Sequence, residues 1–251
     1  TRYISVTGVQ TCALPIYLLT AVHLASDTSL VRVSQSGVVA DLAPGTLEDY
    51  SLLALAYTTL AQATGESEWL ELALSMIRLV QSEFVIDDEL KDTSERVLQQ
   101  LGLSEHFVDV TDNVTPSGWS SALDAALAIA GLTGDSQLRT WVDSLTVPLQ
   151  ALVPEHARFA GNAAAVLTAL SDGPREVAVD APAGSYLHAL AMRTIAPGVV
   201  VAAGNHLPLM AGRDSGSGAV FVCRHFVCDA PLLGEDAVRK ALGDRKEHTS
   251  E

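Results

Sequence analysis

Apolar side chains recur at helical spacing from Leu47 onward. In LEDYSLLALAYTTLAQAT, Leu52, Leu55, Ala56 and Leu60 keep to one face at i, i+3, i+4 and i+8, which predicts an amphipathic helix. Thr64-Gly65 ends it, with Gly65 as a left-handed cap. Glu66 and Ser67 then open a second helix, WLELALSMIRLVQSEF, whose acidic residues gather at its N-terminal end. The same layout returns 69 positions later in SALDAALAIAGLTGDSQLRTWVDSLTVPLQAL: an apolar helix, Thr133-Gly134, Asp135-Ser136, a second apolar helix. Helical hairpins repeated with matching turns predict a helical array or toroid.

Between the copies, residues 85–119 lose this period. A short helix is expected over 93–101, ended by Gly102, and Pro116-Ser117-Gly118 forms a turn into the next helix. One more helix is expected over 154–170. Beyond Gly173-Pro174 the pattern changes. EVAVD reads as a strand, GSYLHALAMRTI as a helix and GVVVAAG as a second strand, which together make a small α/β unit. AVFVC is a further strand and EDAVRKAL a last helix, followed by a charged tail. The expected fold is mostly α. It is a partial α/α toroid of helical hairpins over 17–172, followed by a small α/β appendage over 173–251.

Composition narrows the function. The chain has 251 residues and a formal charge of −15, with 30 Asp and Glu against 15 Lys and Arg. That balance argues against nucleic acid or an anionic membrane surface as partner, because phosphate binding needs clustered cations. No apolar run reaches the roughly 20 residues that span a bilayer. Hydrophobic residues make up 48% and charged residues 18%, so the chain has the means to build a core. Three cysteines are too few for a disulfide-built scaffold. Residues 6–16, VTGVQTCALPI, look like an in-frame translation of a sequencing-library adaptor. Residues 1–16 are therefore expected to be non-native, Cys12 is set aside, and the chain is expected to be a fragment whose own N-terminus is missing. A cytoplasmic location is expected.

Three segments, in order, carry a family resemblance: LEDYSLLALAYTTLAQATGESEWLELAL, DNVTPSGWSSAL and AVFVCRHFVCDAPL. The chain from Tyr17 to Leu242 resembles the C-terminal part of thioredoxin-domain-containing proteins of the spermatogenesis-associated protein 20 type, the YyaL group of bacteria. The C-x4-C segment is the most specific piece of the match. The resemblance implies an N-terminal thioredoxin-like domain, absent here, and a six-hairpin toroid similar to folds of glycosidases and sugar epimerases. About three hairpins fall in this chain. The expected partners are that missing domain and the remaining hairpins, with a sugar or other small molecule as ligand. Two departures stand out. Relatives carry a Gly-Gly-aromatic hairpin where this chain has VIDDELKDTSERVLQQLG, and they favour Asn where it has Trp119.

Candidate chemistry centres on two stretches. Glu48 and Asp49 stand at a helix start, where they either compensate the macrodipole or act as acid or base on a sugar. Tyr50 either orients such a carboxylate or seals the rim. Asp112 and Asn113 either make turn hydrogen bonds, with Ser117 capping the following helix, or Asp112 pairs with Glu48 or Asp49 across a cavity. In the second reading Glu48, Asp49, Tyr50, Asp112 and Ser117 face one rim, and Trp119 lines or plugs it. Cys223 and Cys228, with Arg224 and His225 between them, are open to three readings: structural thiols, a redox pair, or metal ligands. Close thiols without zinc are expected, since no second cysteine pair completes a four-ligand site. The remaining histidines read as surface or satisfied core residues, and GRDSGSG as a flexible connection. No cofactor is expected. Two functions compete. One is a scaffold presenting a substrate or partner to the missing thioredoxin-like domain, and the other is a carbohydrate-active toroid using paired carboxylates.

Overall fold

The computed structural model describes residues 22–243, apart from 27, 28, 36, 41, 42 and 195. The adaptor-like segment with Cys12, and the charged tail from 244, lie outside the described residues. About 51% of the described residues are helical, beside a small sheet region.

The first predicted hairpin forms at the expected residues: α1 is Leu47–Thr64 and α2 is Ser67–Glu83. Its counterpart begins with α4, Gly118–Thr133, after the short α3, Glu95–Gln100. The two turns share one construction. Thr64 Oγ1 donates to Leu60 O and accepts from Glu66 N, while Thr133 Oγ1 donates to Ile129 O and accepts from Asp135 N. Gly65 and Gly134 are left-handed, with φ of 74° and 78°. A Cβ at Gly65 would lie 2.7 Å from the Ala203 carbonyl oxygen, and one at Gly134 3.1 Å from the Phe226 ring. Each turn is therefore a glycine both for its φ and because the C-terminal sheet presses on it.

The second helix of the repeat is broken where one was expected. It divides into α5, Ser136–Ser144, and α6, Val147–Glu155. Pro148 has no N–H for the Ser144 carbonyl, and its ring crowds that turn. The Leu145 carbonyl exposed by the break takes the Trp119 indole N–H at 3.0 Å. The helix expected over 154–170 starts only at α7, Gly161–Asp172, after a single 3-10 turn at Ala157–Phe159. Short strand pairs that the hydrophobic pattern does not announce precede α1: β1, Leu24–Ser26, with β2, Ser29–Leu30, and β3, Ser34–Gln35, with β4, Val38–Val39. A hairpin, β5 (Val85–Ile86) and β6 (Glu89–Leu90), follows α2. It turns through Asp87 and Asp88, at φ of 52° and 61°.

The C-terminal unit is a four-stranded sheet in the order β10-β9-β7-β8. Its strands are β7, Glu176–Val179; β8, Val200–Ala203; β9, Val220–Arg224; and β10, Val227–Cys228. Helix α8, Tyr186–Ala191, connects the parallel β7 and β8, and α9, Glu235–Leu242, is the last element among the described residues. Strands alternate sides. Ala178, Val200 and Ala202 join the core of the helical hairpins, while Val177, Val179, Val201 and Ala203 form a second core with Leu190, Val238 and Leu242. With both faces covered, β7 and β8 read as continuous apolar runs. Gln62 on α1 ties the two parts together. Its Oε1 accepts from Val201 N, and its carbonyl lies 2.9 Å from His188 Nε2. Gly184 N donates to His188 Nδ1, so the ring is neutral with its proton on Nε2. His188 is a satisfied core histidine, and burial pushes its pKa down against the pull of the Gln62 carbonyl. Among the described residues no helix is long and apolar enough to cross a membrane.

Candidate functional site

The N-termini of α1 and α4 meet directly. A Cβ on Gly118 would lie 2.8 Å from Glu48 N, so only glycine allows this approach. Beside the junction opens a pocket of about 370 Å³ lined by Glu48, Asp92, Asp109, Arg32, Phe107, Thr111, Asn113, Thr115 and Ser117, among others. Its wall is the extended segment after α3. Residues 107, 109, 111, 113 and 115 all line it, as period-2 backbone requires.

Three carboxyl groups share this space. Glu48 Oε1 accepts from Thr115 Oγ1 at 2.8 Å. Asp92 Oδ2 accepts from Asp109 N at 2.8 Å. Asp109 Oδ1 accepts from both Thr111 N and Thr111 Oγ1. Asp92 is pushed up to about 6, first by burial and then by the charges of Asp109 and Glu48, against the opposing hydrogen bond from Asp109 N. A carboxyl near 6 gives and takes protons close to neutrality. The Phe107 ring, 67% exposed, is an open apolar face at the same site.

The sequence candidates divide. Glu48 and Ser117 line the pocket. Asp49 does not. Its Oδ2 accepts from Thr46 N and Oγ1 and pairs with Arg32 Nε at 3.0 Å, so it caps α1. Tyr50 is buried, its hydroxyl accepting from Leu30 N at 2.7 Å and its ring tilted against Phe84; burial raises its pKa. Asp112 faces away from the pocket. Its Oδ1 accepts from Ser117 N and Ser120 Oγ, and its Oδ2 from Asn162 N and Ala163 N. Trp119 is a core residue, 2% exposed, and neither lines nor plugs a rim. Asp92, Asp109 and Thr115 were not among the candidates, although the alternation along FVDVTDNVT marks Asp109 and Thr115. Asp124 on α4 is also pushed up to about 6, by burial alone, and lies outside this pocket.

Cys223 and Cys228 face each other across the β9–β10 hairpin as a disulfide, with Cα atoms 3.8 Å apart. Among the described residues no group of three or more His, Cys, Asp or Glu side chains is placed to hold a metal ion.

A second concavity, about 730 Å³, lies at the carboxyl ends of β7 and β8 and is lined by Asp180, Asn205 and His206 with Gly204, Gly216 and Gly218. The glycine-rich 212–218 stretch beside it is anchored rather than loose. Asp180 accepts from Ser215 Oγ, Gly216 N, Ser217 N and Ser217 Oγ. These donors, led by the Ser217 hydroxyl, hold its carboxyl at about 2, below the usual 3.8. The lowered value means this stabilisation is complete above pH 4 and is lost as pH falls through 2. We expect Asp180→Asn to shrink the acid limb of the stability profile between pH 4 and 2. Faster amide exchange over 214–218 should accompany it at pH 7. An unchanged acid limb would count against the anchor.

No protein-family model matches the chain, and no curated protein matches it.

Proposed function

We propose that the pocket between α1 and α4 binds a small hydroxyl-rich ligand of sugar size and performs acid–base chemistry on it. Asp92 is the proton donor, and Glu48, held by Thr115, is its partner carboxyl. The observation that carries this reading is the gathering of the Glu48, Asp92 and Asp109 carboxyls on one pocket; burial and its neighbours push Asp92 up to about 6, the range an acid working near neutrality needs. The volume falls within the ~300–1,000 Å³ usual for small-molecule sites. Threonine and serine hydroxyls, the Asn113 amide and the Phe107 face supply the contacts a polyol takes.

The wider reading places these hairpins as one arc of an α/α toroid in a protein of the spermatogenesis-associated protein 20 type. There the helical part presents its ligand to a thioredoxin-like domain. The duplicated Thr-Gly turns, and α1 packed beside α4, support that arrangement.

Carbon-detected NMR of side-chain carboxyls tests the site, followed by calorimetry against a panel of monosaccharides. Asp92 should titrate near 6, and its midpoint should fall in Glu48→Gln as a neighbouring negative charge disappears. Binding should weaken at least tenfold in Asp92→Ala. A raised folded-state pKa favours the protein below the unfolded value and is lost as pH rises through 6, so Asp92→Asn should melt no lower than the parent at pH 8. Titration near 4, or no sugar bound by the parent, would remove the proposal.

A further inference from the structure

We propose that Cys223 and Cys228 form an exchangeable dithiol–disulfide pair in which Cys228 is the entry sulfur and Arg213 its activating cation. The two sulfurs are unequal. Cys223 is 1% exposed, whereas Cys228 is only half-buried. Arg213 Nε donates to Cys228 Sγ at 3.2 Å. The guanidinium is fixed in that position: Nη1 donates to the carbonyls of Leu209 and Ala211, and Nη2 to that of Phe226. Among the described residues no carboxylate pairs with Arg213. Its positive charge is therefore held by neutral acceptors and directed at one sulfur, an arrangement that favours thiolate over thiol.

The other charged groups on this face are Glu176, opposite Cys223 in register, and Arg139, which pairs with it at 3.4 Å. Arg224 and Asp229 line a separate cavity with Val222 on the opposite face. His225 sits in the hairpin turn, and Asp214 lines the crevice at the ends of β7 and β8. Among the described residues Arg213 is the cation that hydrogen-bonds the reactive sulfur.

The reaction balances as an exchange with an external disulfide. In the reduced pair, the Cys228 thiolate attacks one sulfur of that disulfide, forms a mixed disulfide and releases one thiolate. Cys223 then attacks Cys228 Sγ, which closes the intramolecular bond and expels the second sulfur of the external disulfide; the Cys223 proton leaves on that sulfur as a thiol. Two electrons pass from the cysteine pair to the external disulfide, and a dithiol partner drives the reverse course through the same sulfur. Cys223, shielded from solvent, resolves the intermediate and makes no encounter of its own.

The test uses the whole chain with Cys12→Ser, so that no third thiol contributes. Reduced Cys223→Ser and Cys228→Ser variants are mixed with oxidised glutathione and followed by mass spectrometry. Cys223→Ser should form the mixed disulfide at least several-fold faster. The pH midpoint for iodoacetamide alkylation of Cys228 should lie about one unit or more below the ~8.5 of a free thiol. Arg213→Gln should move it up by about one unit, and Arg213→Lys, which keeps the charge, by less. Equal reactivity of the two cysteines would overturn the proposal, as would a midpoint unmoved by Arg213→Gln. If Arg213→Gln fails to fold, the midpoint in Arg213→Lys and in the parent decides: a parent value at or above 8.5 refutes the activation.

Discussion

Replacing Asp112 by Ala should cost roughly 3–5 kcal/mol of folding stability, a large share of the ~5–15 kcal/mol that holds a domain together. The carboxylate is 8% exposed, and both of its oxygens carry two hydrogen bonds. One oxygen receives Ser117 N and Ser120 Oγ at the start of α4, and the other receives Asn162 N and Ala163 N at the start of α7. Helix α7 needs this service, because its own N-cap position is Ala160, which has no acceptor side chain. The substitution leaves buried donors unpaired at two helix ends at once, and water reaches them poorly. Asp112→Asn keeps the shape but must turn its amide NH2 toward at least one N–H donor, so it should recover only part of the loss. Denaturant unfolding should show a lower midpoint with an unchanged slope. At ~2–4 °C per kcal/mol for a domain of this size, thermal melts should fall by roughly 10 °C. A loss below about 1 kcal/mol would mean that the two helices hold their ends without Asp112.

The same residue shows where sequence reading succeeds and where it stops. The spacing of Leu52, Leu55, Ala56 and Leu60 identifies α1, and Thr64-Gly65 marks its end, because a helix buries a stripe and its C-cap needs a left-handed residue. Asp112 was open to two readings because the 107–115 segment has no helical period. Read as extended backbone, odd and even residues go to opposite sides. Phe107, Asp109, Thr111 and Asn113 then share the pocket wall, and Asp112 turns inward to the helix ends. Asp92 was beyond reach for another reason. It lies in a loop after β6, and its neighbours in the pocket, Glu48 and Asp109, are distant in sequence. Its raised pKa comes from burial and from those two charges, neither of which leaves a local pattern. Likewise the break in the second repeat helix is signalled by Pro148, but its companion, the Trp119 indole on the Leu145 carbonyl, is a tertiary contact. The C-x4-C spacing left three readings open, and the β9–β10 hairpin brings its sulfurs face to face. Arg213, which distinguishes one sulfur from the other, reaches them only through the folding of the 205–219 loop.

The second large effect is expected at the seam between helices and sheet. Glu176 on β7 is fully buried, and its carboxylate is held on both sides. Arg139 Nη2 approaches Oε1 at 3.4 Å, and Phe226 N donates to Oε2 at 2.6 Å. Phe226 adopts φ of 62°, a conformation that a bulky residue takes only under constraint, and its ring closes over Gly134 in the repeat turn. The carboxylate thus binds α5, β7 and the β9–β10 turn at one point. Arg139→Ala removes the only cation paired with it among the described residues and leaves a buried charge, which should cost about 3–5 kcal/mol. Glu176→Gln should cost less. Its amide oxygen still accepts from Phe226 N, and Arg139, with 17% of its side chain exposed, has solvent within reach. The double variant Arg139→Leu with Glu176→Leu should regain the part of the Arg139→Ala loss that comes from the uncompensated charge, but not all of it, because Phe226 N loses its acceptor. A double-mutant cycle by urea unfolding separates the terms. If Arg139→Ala lies within about 1 kcal/mol of the parent, the pair is solvated at the seam, and the docking of sheet on helices rests on Gln62, His188 and the two turn glycines instead.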